Sequence, residues 1–200
     1  MSRLTPDSSH LTRKTARRAV FLDRDGTINI EKHYLHRPQD FEFIPGAPEA
    51  IKKLKDAGYL VVVVTNQSGV GRGYYTLADV DTLHAHIQRE LAAHKTSIDA
   101  FYACPHHPSD ALDEFRVDCD CRKPEPGMIL TAAEDLGIDL DESYIVGDKR
   151  ADIEAGRASG CTPLLVRTGY GQRELNKLVD PDFMVFDSIR DAADFIINSQ

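Results

Sequence analysis

The sequence predicts an α/β fold in which a Rossmann-like parallel sheet is sandwiched between helices. Short apolar runs rich in β-branched residues alternate with helical patterns from about Ala19 onward, and this alternation is typical of parallel sheets covered on both faces. A chain of 200 residues with 42% hydrophobic and 28% charged residues can bury one full core. We therefore expect a single domain over residues 19–200, preceded by a flexible arm at residues 1–18.

The first half of the chain is predicted to contain three strands and two helices, at residues 20–22, 48–57, 59–64, 76–95 and 98–102. The continuous β-branched run at 59–64 is typical of an interior parallel strand. The first helix has a proline in its first turn and Gly58 just after its end. The second begins at a capping box formed by Thr76 and Asp79.

The second half is predicted to alternate helix and strand again, at residues 126–136, 144–146, 151–159, 163–166 and 183–186. The two helices end at Gly137 and Gly160, which is typical of helix C-termini. Asp187 is predicted to cap a last helix. A polar segment rich in cysteine and histidine precedes this half and ends near Pro124.

Three polar residues lie at the ends of predicted strands: Asp23 and Thr65 follow theirs directly, and Asp148 follows Gly147. In open parallel sheets, ligands bind beyond the carboxyl ends of the strands. The fold prediction therefore brings together three groups that lie far apart in the sequence.

The overall charge bears on the possible partners. The formal net charge is −8, which disfavours non-specific binding to nucleic acid or to an acidic membrane. No apolar run approaches the length of a membrane span. The basic residues of the first 18 positions are not followed by the apolar core of a secretory signal. We expect a cytoplasmic monomer that binds neither nucleic acid nor membrane.

The segment FLDRDGT at residues 21–27 is suited to phosphoryl transfer. Side chains alternate along a strand, so Asp23 and Asp25 are expected to face one way and Arg24 the other. A carboxylate can act as a covalent nucleophile and form an aspartyl-phosphate. A second carboxyl two residues later can protonate the leaving oxygen and then take a proton from water. The alternative is an acidic turn after a strand.

Four segments together resemble the motifs of the haloacid dehalogenase superfamily of phosphatases. They are residues 21–27, residues 65–69 (TNQSG), Lys123 within RKP, and residues 147–152 (GDKRAD). The resemblance implies that Asp23 is the nucleophile and Asp25 the acid and base. It also implies that Thr65 holds the phosphoryl group, that Lys123 neutralises its charge, and that Asp148 belongs to an acidic metal site.

Charge explains why these groups belong together. Asp23, Asp25 and Asp148 with a phosphate dianion would place about five negative charges within several Å, and each unit pair at 4 Å costs roughly 4 kcal/mol at an effective dielectric of 20. Such a site needs a cation, and hard oxygen ligands favour Mg²⁺. The resemblance places Mg²⁺ on Asp23, on the backbone carbonyl of Asp25 and on Asp148. Asp152 either supports this site or is an aspartate favoured by the helix dipole.

A second metal site is predicted in the polar segment. Cys104 and His106 are separated by twelve residues from Cys119 and Cys121, and two close pairs flanking a loop suit a tetrahedral Zn²⁺ site. Four protein ligands leave no open position, so this zinc would be structural. His107 is the competing ligand, and the resemblance favours His106. The remaining cysteine, Cys161, is interpreted as a small buried apolar residue.

Within the superfamily, residues 19–168 resemble the D-glycero-D-manno-heptose-1,7-bisphosphate 7-phosphatases. That family implies removal of the 7-phosphate of a small phosphorylated sugar during synthesis of nucleotide-activated heptose, on a compact domain without a large cap. It implies that sugar contacts come from two loops and phosphate contacts from two basic residues. The sugar contacts are Glu31, Lys32, His33, Tyr34, Asn66, Gln67 and Ser68; the phosphate contacts are Arg122 and Lys149. Arg72 is a weaker candidate.

Three other functions compete with this interpretation. A histidinol-phosphate phosphatase shares the aspartate motif and a Cys/His zinc loop, although its loop tends to be shorter than the twelve-residue spacer here. A 3′-phosphatase for DNA ends is disfavoured by the negative charge. A zinc-stabilised binding module with an inactive site would lack at least one catalytic group, whereas all five are present.

Overall fold

The structure is a computed structural model that describes residues 17–177 and 182–199. Its described strands form one parallel six-stranded sheet in the order β3-β2-β1-β4-β5-β6. The strands are β1 (Ala19–Leu22), β2 (Leu60–Asn66), β3 (Ala100–Cys104), β4 (Tyr144–Gly147), β5 (Thr162–Val166) and β6 (Met184–Phe186). The predicted parallel sheet is therefore confirmed.

Helices connect consecutive strands. They are α1 (Ala47–Asp56), α2 (Ser68–Gly71), α3 (Leu77–Ala93), α4 (Gly127–Leu136), α5 (Arg150–Ser159), α6 (Gly171–Leu175) and α7 (Ile189–Asn198). The predicted capping box is present at the start of α3, where the Thr76 hydroxyl accepts from the Asp79 N–H and the Asp79 carboxylate accepts from the Thr76 N–H. Short 3₁₀ helices lie at Pro38–Asp40 and Asp113–Phe115. These two turns, α2 and α6 were not predicted, since each is only three to five residues long.

The strand order places a topological switch point beside β1. The chain runs from β1 outward through β2 to β3, and then crosses to β4 on the other side of β1. Leu22 pairs with Val63 of β2 and with Val146 of β4. The residues that follow these three positions therefore emerge side by side, in the crevice where such sheets bind ligands.

Two apolar clusters cover the two faces of the sheet. Val20 and Leu22 belong to the cluster under α1, α3 and α7, while Ala19 and Phe21 belong to the cluster under α4 and α5. This alternation follows the two-residue period of a strand. Because both faces are covered, all four residues of β1 are fully buried. The strand is a rigid base for the residues that follow it.

Some predicted boundaries differ from those observed. The third strand begins and ends two residues later than predicted, so Cys104 is its last residue. Ser188, not Asp187, is the N-cap of α7, and its hydroxyl donates to Asp191 at 2.7 Å. Serine and aspartate are both good N-cap residues, and two adjacent candidates cannot be ranked by residue type alone.

The predicted arm overlaps the fold by two residues. Arg17 forms a parallel bridge with Ile138, and the Arg18 guanidinium lies 4.7 Å from the centre of the Tyr59 ring. The rest of the predicted arm lies outside the described residues. Among the described helices, none has the length and apolar character needed to cross a membrane.

Candidate active site

The groups predicted to act on phosphate meet at the carboxyl edge of the sheet. Asp23 follows β1, Thr65 lies near the end of β2, and Asp148 follows β4. Each is buried, as is Lys123, which enters from the loop before α4. Beside them lies a cavity of about 260 Å³, with Asp23, Asp25, Thr65 and Lys123 in its wall. The structure thus brings together the five predicted catalytic and Mg²⁺-binding positions.

Lys123 joins two carboxylates in the floor of the site. Its ammonium lies 2.9 Å from Asp23 Oδ1 and 2.5 Å from Asp152 Oδ1, and it donates to the Val64 carbonyl at 2.7 Å. Burial alone would lower the pKa of Lys123, but the two carboxylates outweigh it and raise the pKa. The lysine is therefore a fixed positive charge against the predicted nucleophile.

Asp152 combines the two roles that the sequence left open. Its Oδ2 accepts from the backbone N–H of Lys149 at 2.9 Å and so caps the start of α5, while its Oδ1 holds the Lys123 ammonium. A side chain on Gly147 would lie 2.2 Å from the Asp152 carboxyl carbon. The glycine therefore allows Asp152 to reach the site.

Asp148 has one carboxylate oxygen without a hydrogen bond. Its Oδ2 accepts from the Tyr170 N–H at 2.7 Å, whereas the buried Oδ1 has no hydrogen-bond partner and lies 3.7 Å from the Lys149 ammonium. Burial, together with the nearby carboxylates of Asp23 and Asp152, raises the pKa of Asp148 to about 8. Oxygens of these three aspartates lie within 4.8 Å of one another. An unpaired buried oxygen among converging carboxylates suits a hard divalent cation.

Two glycines permit the close approach to Asp148. Gly26 has a φ of 90°, and a side chain there would lie 2.1 Å from Asp148 Oδ2. Gly169 has a φ of 56°, and a side chain there would also lie 2.1 Å from Asp148 Oδ2. Both positions require the left-handed backbone that glycine adopts without strain.

Asp23 and Asp25 both line the cavity and Arg24 does not, as predicted, but the Arg24 side chain contacts Asp25 instead of pointing away from it. The strand ends at Leu22, so the alternation of side chains does not extend to these positions. The Arg24 guanidinium instead donates to both oxygens of Asp25, at 2.8 Å to Oδ2 and 3.1 Å to Oδ1. Burial would raise the pKa of Asp25, but the Arg24 charge and hydrogen bonds from Asn29, Arg24 and Gln67 lower it. These contacts therefore stabilise the ionised form of Asp25 relative to the protonated form.

Gln67 joins Thr65 and Asp25 through hydrogen bonds. Its amide nitrogen donates to Thr65 Oγ1 at 2.8 Å and to Asp25 Oδ2 at 3.1 Å. Its amide oxygen accepts from the Tyr75 hydroxyl at 2.8 Å. Asn66 acts on Lys123 instead, because its side-chain amide pairs with the backbone N–H and carbonyl of that lysine at 3.1 and 2.9 Å. Both amides therefore orient predicted catalytic groups as well as lining the cavity.

The loop after β1 forms the outer wall of the cavity. Glu31, His33 and Tyr34 line it, and the last two have φ values of 47° and 55°, unusual for residues with a side chain. Lys32 does not line the cavity; its ammonium donates to the Asp40 carbonyl and contacts Glu42.

The predicted phosphate-binding basic residues differ in placement. Lys149 lines the cavity and its ammonium lies 3.7 Å from Glu31 Oε2. Arg122 is half-buried, does not line the cavity and donates to the His106 carbonyl at 3.1 Å. Ser68 lines the cavity as predicted, whereas Arg72 pairs with Asp110.

Two tyrosines of the cavity wall were not predicted. Tyr75 reaches it from the turn before α3 and Tyr170 from the turn before α6. The Tyr170 hydroxyl lies 3.1 Å from His33 Nδ1, so the two side chains meet across the cavity. A tyrosine after a polar turn is common in proteins and does not by itself indicate a site. For Tyr170, the only signal in the sequence is the neighbouring Gly169, which allows the backbone to pass close to other groups.

The four predicted zinc ligands form one cluster. Donor atoms of Cys104, His106, Cys119 and Cys121 lie within 4.8 Å of one another, with sulfur–sulfur distances of 2.9 to 3.7 Å. His106 Nδ1 lies 3.3 Å from Cys121 Sγ. His107 instead turns its Nδ1 to the backbone of Asp110. The donor set of three cysteines and one histidine is that of a closed tetrahedral site.

The free cysteine outside this cluster, Cys161, is 4% exposed. It packs with the apolar side chains under α4 and α5. Its prediction as a small buried residue is confirmed.

Comparisons with known proteins agree with this geometry. A family model described as HAD-hydrolase-like matches residues 120–192. The chain is 46% identical over 182 residues to the D-glycero-beta-D-manno-heptose-1,7-bisphosphate 7-phosphatase of Escherichia coli strain K12, covering 90% of this chain and 88% of the relative. It is 42% identical over 183 residues to the protein of that name from Vibrio cholerae, covering 91% and 97%.

Solved structures show the same similarity. The D,D-heptose 1,7-bisphosphate phosphatase from B. bronchiseptica, complexed with magnesium and phosphate, superimposes with a TM-score of 0.82 at 34% identity, covering 92% of this chain and 99% of that chain. The corresponding enzyme from Burkholderia thailandensis gives a TM-score of 0.67 at 36% identity, covering 90% and 99%. The chain therefore belongs to the haloacid dehalogenase-like hydrolases and, within them, to the family of these heptose-bisphosphate phosphatases.

Proposed function

We propose that this protein is a Mg²⁺-dependent phosphatase that removes the 7-phosphate of D-glycero-β-D-manno-heptose 1,7-bisphosphate, a step in the synthesis of nucleotide-activated heptose. The observation that carries the proposal is the meeting of three groups beside the cavity: the Lys123 ammonium lies 2.9 Å from Asp23, and oxygens of Asp23 and Asp148 lie within 4.8 Å of one another. The substrate is supported by the names of relatives at 42–46% identity, which specify the β-anomer.

In the first half-reaction, Asp23 attacks phosphorus and an aspartyl-phosphate forms as the sugar oxygen leaves. Asp25, which carries the proton that it took from water in the preceding turnover, donates that proton to the leaving oxygen. The Thr65 hydroxyl and the Lys123 ammonium stabilise the charge on the equatorial oxygens of the phosphoryl group. The Gln67 amide fixes the position of the Thr65 hydroxyl at 2.8 Å.

In the second half-reaction, water hydrolyses the aspartyl-phosphate. Asp25, now a carboxylate, takes a proton from the attacking water, and the bond between phosphorus and Asp23 breaks. The products are inorganic phosphate and the free Asp23 carboxylate. The hydrogen bonds from Arg24, Asn29 and Gln67 stabilise the carboxylate that Asp25 becomes when it gives up its proton, so they favour the first half-reaction.

Two metals belong to the proposal. Asp23, the backbone carbonyl of Asp25 and Asp148 would hold Mg²⁺, which neutralises phosphate charge when bound. Cys104, His106, Cys119 and Cys121 would hold a structural Zn²⁺. The last ligand directly precedes Arg122 and Lys123, so the zinc would fix the loop from which Lys123 enters the site.

The sugar is proposed to lie between the loop after β1 and the start of α2. Glu31, His33 and Tyr34 would contact it on one side and Gln67 and Ser68 on the other, since all five line the cavity. Lys149 is the proposed contact for a phosphate. Lys32 is not among the proposed sugar contacts, because its ammonium bonds to Asp40 and Glu42. Arg122 could contact phosphate only by releasing its hydrogen bond to the His106 carbonyl.

A substrate panel tests the proposal. Relative kcat/KM is measured with Mg²⁺ on both anomers of heptose 1,7-bisphosphate, on histidinol phosphate and on a 3′-phosphorylated oligonucleotide. We expect the β-heptose substrate to give the highest value, and a preference for histidinol phosphate would contradict the substrate assignment. Asp23→Asn is the matched control, since it keeps the size of the side chain. If this variant still hydrolysed the preferred ester at the wild-type rate, the nucleophile assignment would be wrong.

The cytoplasmic location, the monomeric state and the lack of nucleic-acid or membrane partners remain predictions. Size-exclusion chromatography with light scattering on the full chain tests the monomer. A mass of about 22.3 kDa is expected from the sequence, and a dimer mass would contradict it.

A further inference from the structure

Arg24 is a charged side chain sealed inside the protein. It is 0% exposed and is the largest fully buried side chain among the described residues. Burying a guanidinium is costly unless its charge is paired and its N–H groups are hydrogen-bonded. Its ion-pair partner is the Asp25 carboxylate, whose side chain is 15% exposed toward the cavity.

The guanidinium donates hydrogen bonds to the Asp25 carboxylate. Nη2 donates to both carboxylate oxygens, at 3.1 and 2.8 Å, and Nε lies 3.3 Å from Oδ1. Asn29 Nδ2 donates to Oδ1 at 3.0 Å, and Gln67 Nε2 donates to Oδ2 at 3.1 Å. Because each oxygen has two donor groups, the plane of the carboxyl is fixed.

The guanidinium also contacts two groups that lie away from the cavity. Nη2 donates to the Leu35 carbonyl at 3.0 Å, and Nη1 lies 3.5 Å from Nε2 of His84. His84 is 7% exposed and stacks on Phe101 at 4.3 Å. Burial and the Arg24 charge lower the pKa of His84 to about 3. The neutral ring can therefore accept a hydrogen bond from Arg24 without competing for Asp25.

We infer that Arg24 is a positioning residue for phosphoryl transfer: it fixes the orientation of the Asp25 carboxyl, which exchanges a proton with the leaving oxygen. The inference rests on the proposed function of Asp25. A displacement of about 1 Å at a reacting group can cost roughly 100-fold in rate. General acid catalysis contributes about 100- to 10,000-fold. Losing Arg24 therefore reduces the part of the rate that depends on proton donation.

Two esters of similar size separate this role from a structural one. Benzyl phosphate expels a strongly basic alkoxide that needs a proton, whereas p-nitrophenyl phosphate expels a stable phenolate that does not. The parameter is kcat/KM, because it covers the steps up to departure of the leaving group and excludes hydrolysis of the aspartyl-phosphate. Neither ester depends on recognition of the heptose.

The variants are Arg24→Met, which removes the charge, and Arg24→Lys, which keeps the charge but loses the planar set of N–H donors that bonds both oxygens of Asp25. Leu83→Ala is the matched control, since Leu83 is an apolar side chain that is fully buried in helix α3. Asp25→Asn is the reference for complete loss of the proton donor. Thermal unfolding is recorded for every variant, so that loss of fold is seen directly.

We expect Arg24→Met to lower kcat/KM on benzyl phosphate by about 10- to 100-fold, with less than about a 3-fold loss on p-nitrophenyl phosphate. We expect Arg24→Lys to lose more kcat/KM on benzyl phosphate than on p-nitrophenyl phosphate as well, but to a smaller degree. If Arg24→Met does not fold, Arg24→Lys is the variant that tests the inference. Leu83→Ala shows parallel changes on both esters.

Equal losses on both esters in a folded Arg24 variant, or no loss on either, overturn the inference while leaving the proposed function intact. If Asp25→Asn itself shows no selectivity, the acid role in the proposed function fails, and the role of Arg24 fails with it.

Discussion

Replacing Lys123 with methionine tests whether its ammonium balances the buried acids of the site. The two side chains are similar in length, so the substitution removes the charge with little change in volume. The ammonium is 3% exposed and contacts Asp23 at 2.9 Å, Asp152 at 2.5 Å and the Val64 carbonyl at 2.7 Å. All three acceptors lose their donor in the variant.

The size of the effect follows from these contacts. Removing one partner of a buried ion pair costs about 3–5 kcal/mol, because the remaining charge stays uncompensated. Two carboxylates are left here, and each unit pair at about 4 Å repels by roughly 4 kcal/mol at an effective dielectric of 20. We expect the metal-free variant to lose about 3–5 kcal/mol of unfolding free energy. For a chain of this size that loss lowers Tm by about 6–20 °C.

Denaturant unfolding in EDTA and in Mg²⁺ measures the effect. Mg²⁺ is expected to raise the stability of Lys123→Met more than that of the wild type, since the cation replaces the missing charge. Lys52→Met is the control, because Lys52 forms an exposed pair with Asp56 and such pairs contribute about 0–1 kcal/mol. If metal-free Lys123→Met stays within about 1 kcal/mol of the wild type, the charge-balance reasoning is refuted.

Three further predictions concern the nucleophile and the two metal sites. Asp23→Asn is expected to abolish phosphate release by at least about 1,000-fold while its circular dichroism spectrum stays native; a persistent rate would exclude covalent catalysis by Asp23. Cys121→Ser is expected to lose the Zn²⁺ that mass spectrometry finds in the wild type at one per chain, with a lower Tm; zinc-free wild-type protein would contradict the site. Gly26→Ala is expected to weaken Mg²⁺ binding at least about 10-fold, because its methyl group would occupy the place of Asp148 Oδ2; unchanged affinity would show that Asp148 is not a ligand.

The sequence predicted the positions that parallel-sheet geometry determines. Asp23, Thr65 and Asp148 lie at strand ends, and strands are recognised by apolar runs with clear ends. Once neighbouring strands are parallel, their carboxyl ends share one edge, and the three side chains must meet. The cluster of Cys104, His106, Cys119 and Cys121 was predictable for a different reason, because cysteine and histidine in two close pairs have few other uses.

Contacts between loops could not be predicted in this way. The hydrogen bonds from Arg24 to Asp25 depend on the turn after β1, where side chains no longer alternate between the two faces of the sheet. The turn of Lys32 toward Glu42 depends on the path of a loop without periodicity. Tyr170 reaches the cavity only because Gly169 lets the backbone pass Asp148. In each case the decisive quantity is a backbone direction that residue types alone do not determine.

The charges of the site divide into two groups with different roles. Asp23, Asp148 and Asp152 share the ammonium groups of Lys123 and Lys149, which leaves one net negative charge if all five are ionised. A phosphate dianion would add two more, so this group needs a divalent cation to bind its substrate. Asp25 is neutralised separately by Arg24. In the proposed mechanism, Arg24 therefore acts on the proton exchange of Asp25, while the charge of the metal and phosphate is balanced by other residues.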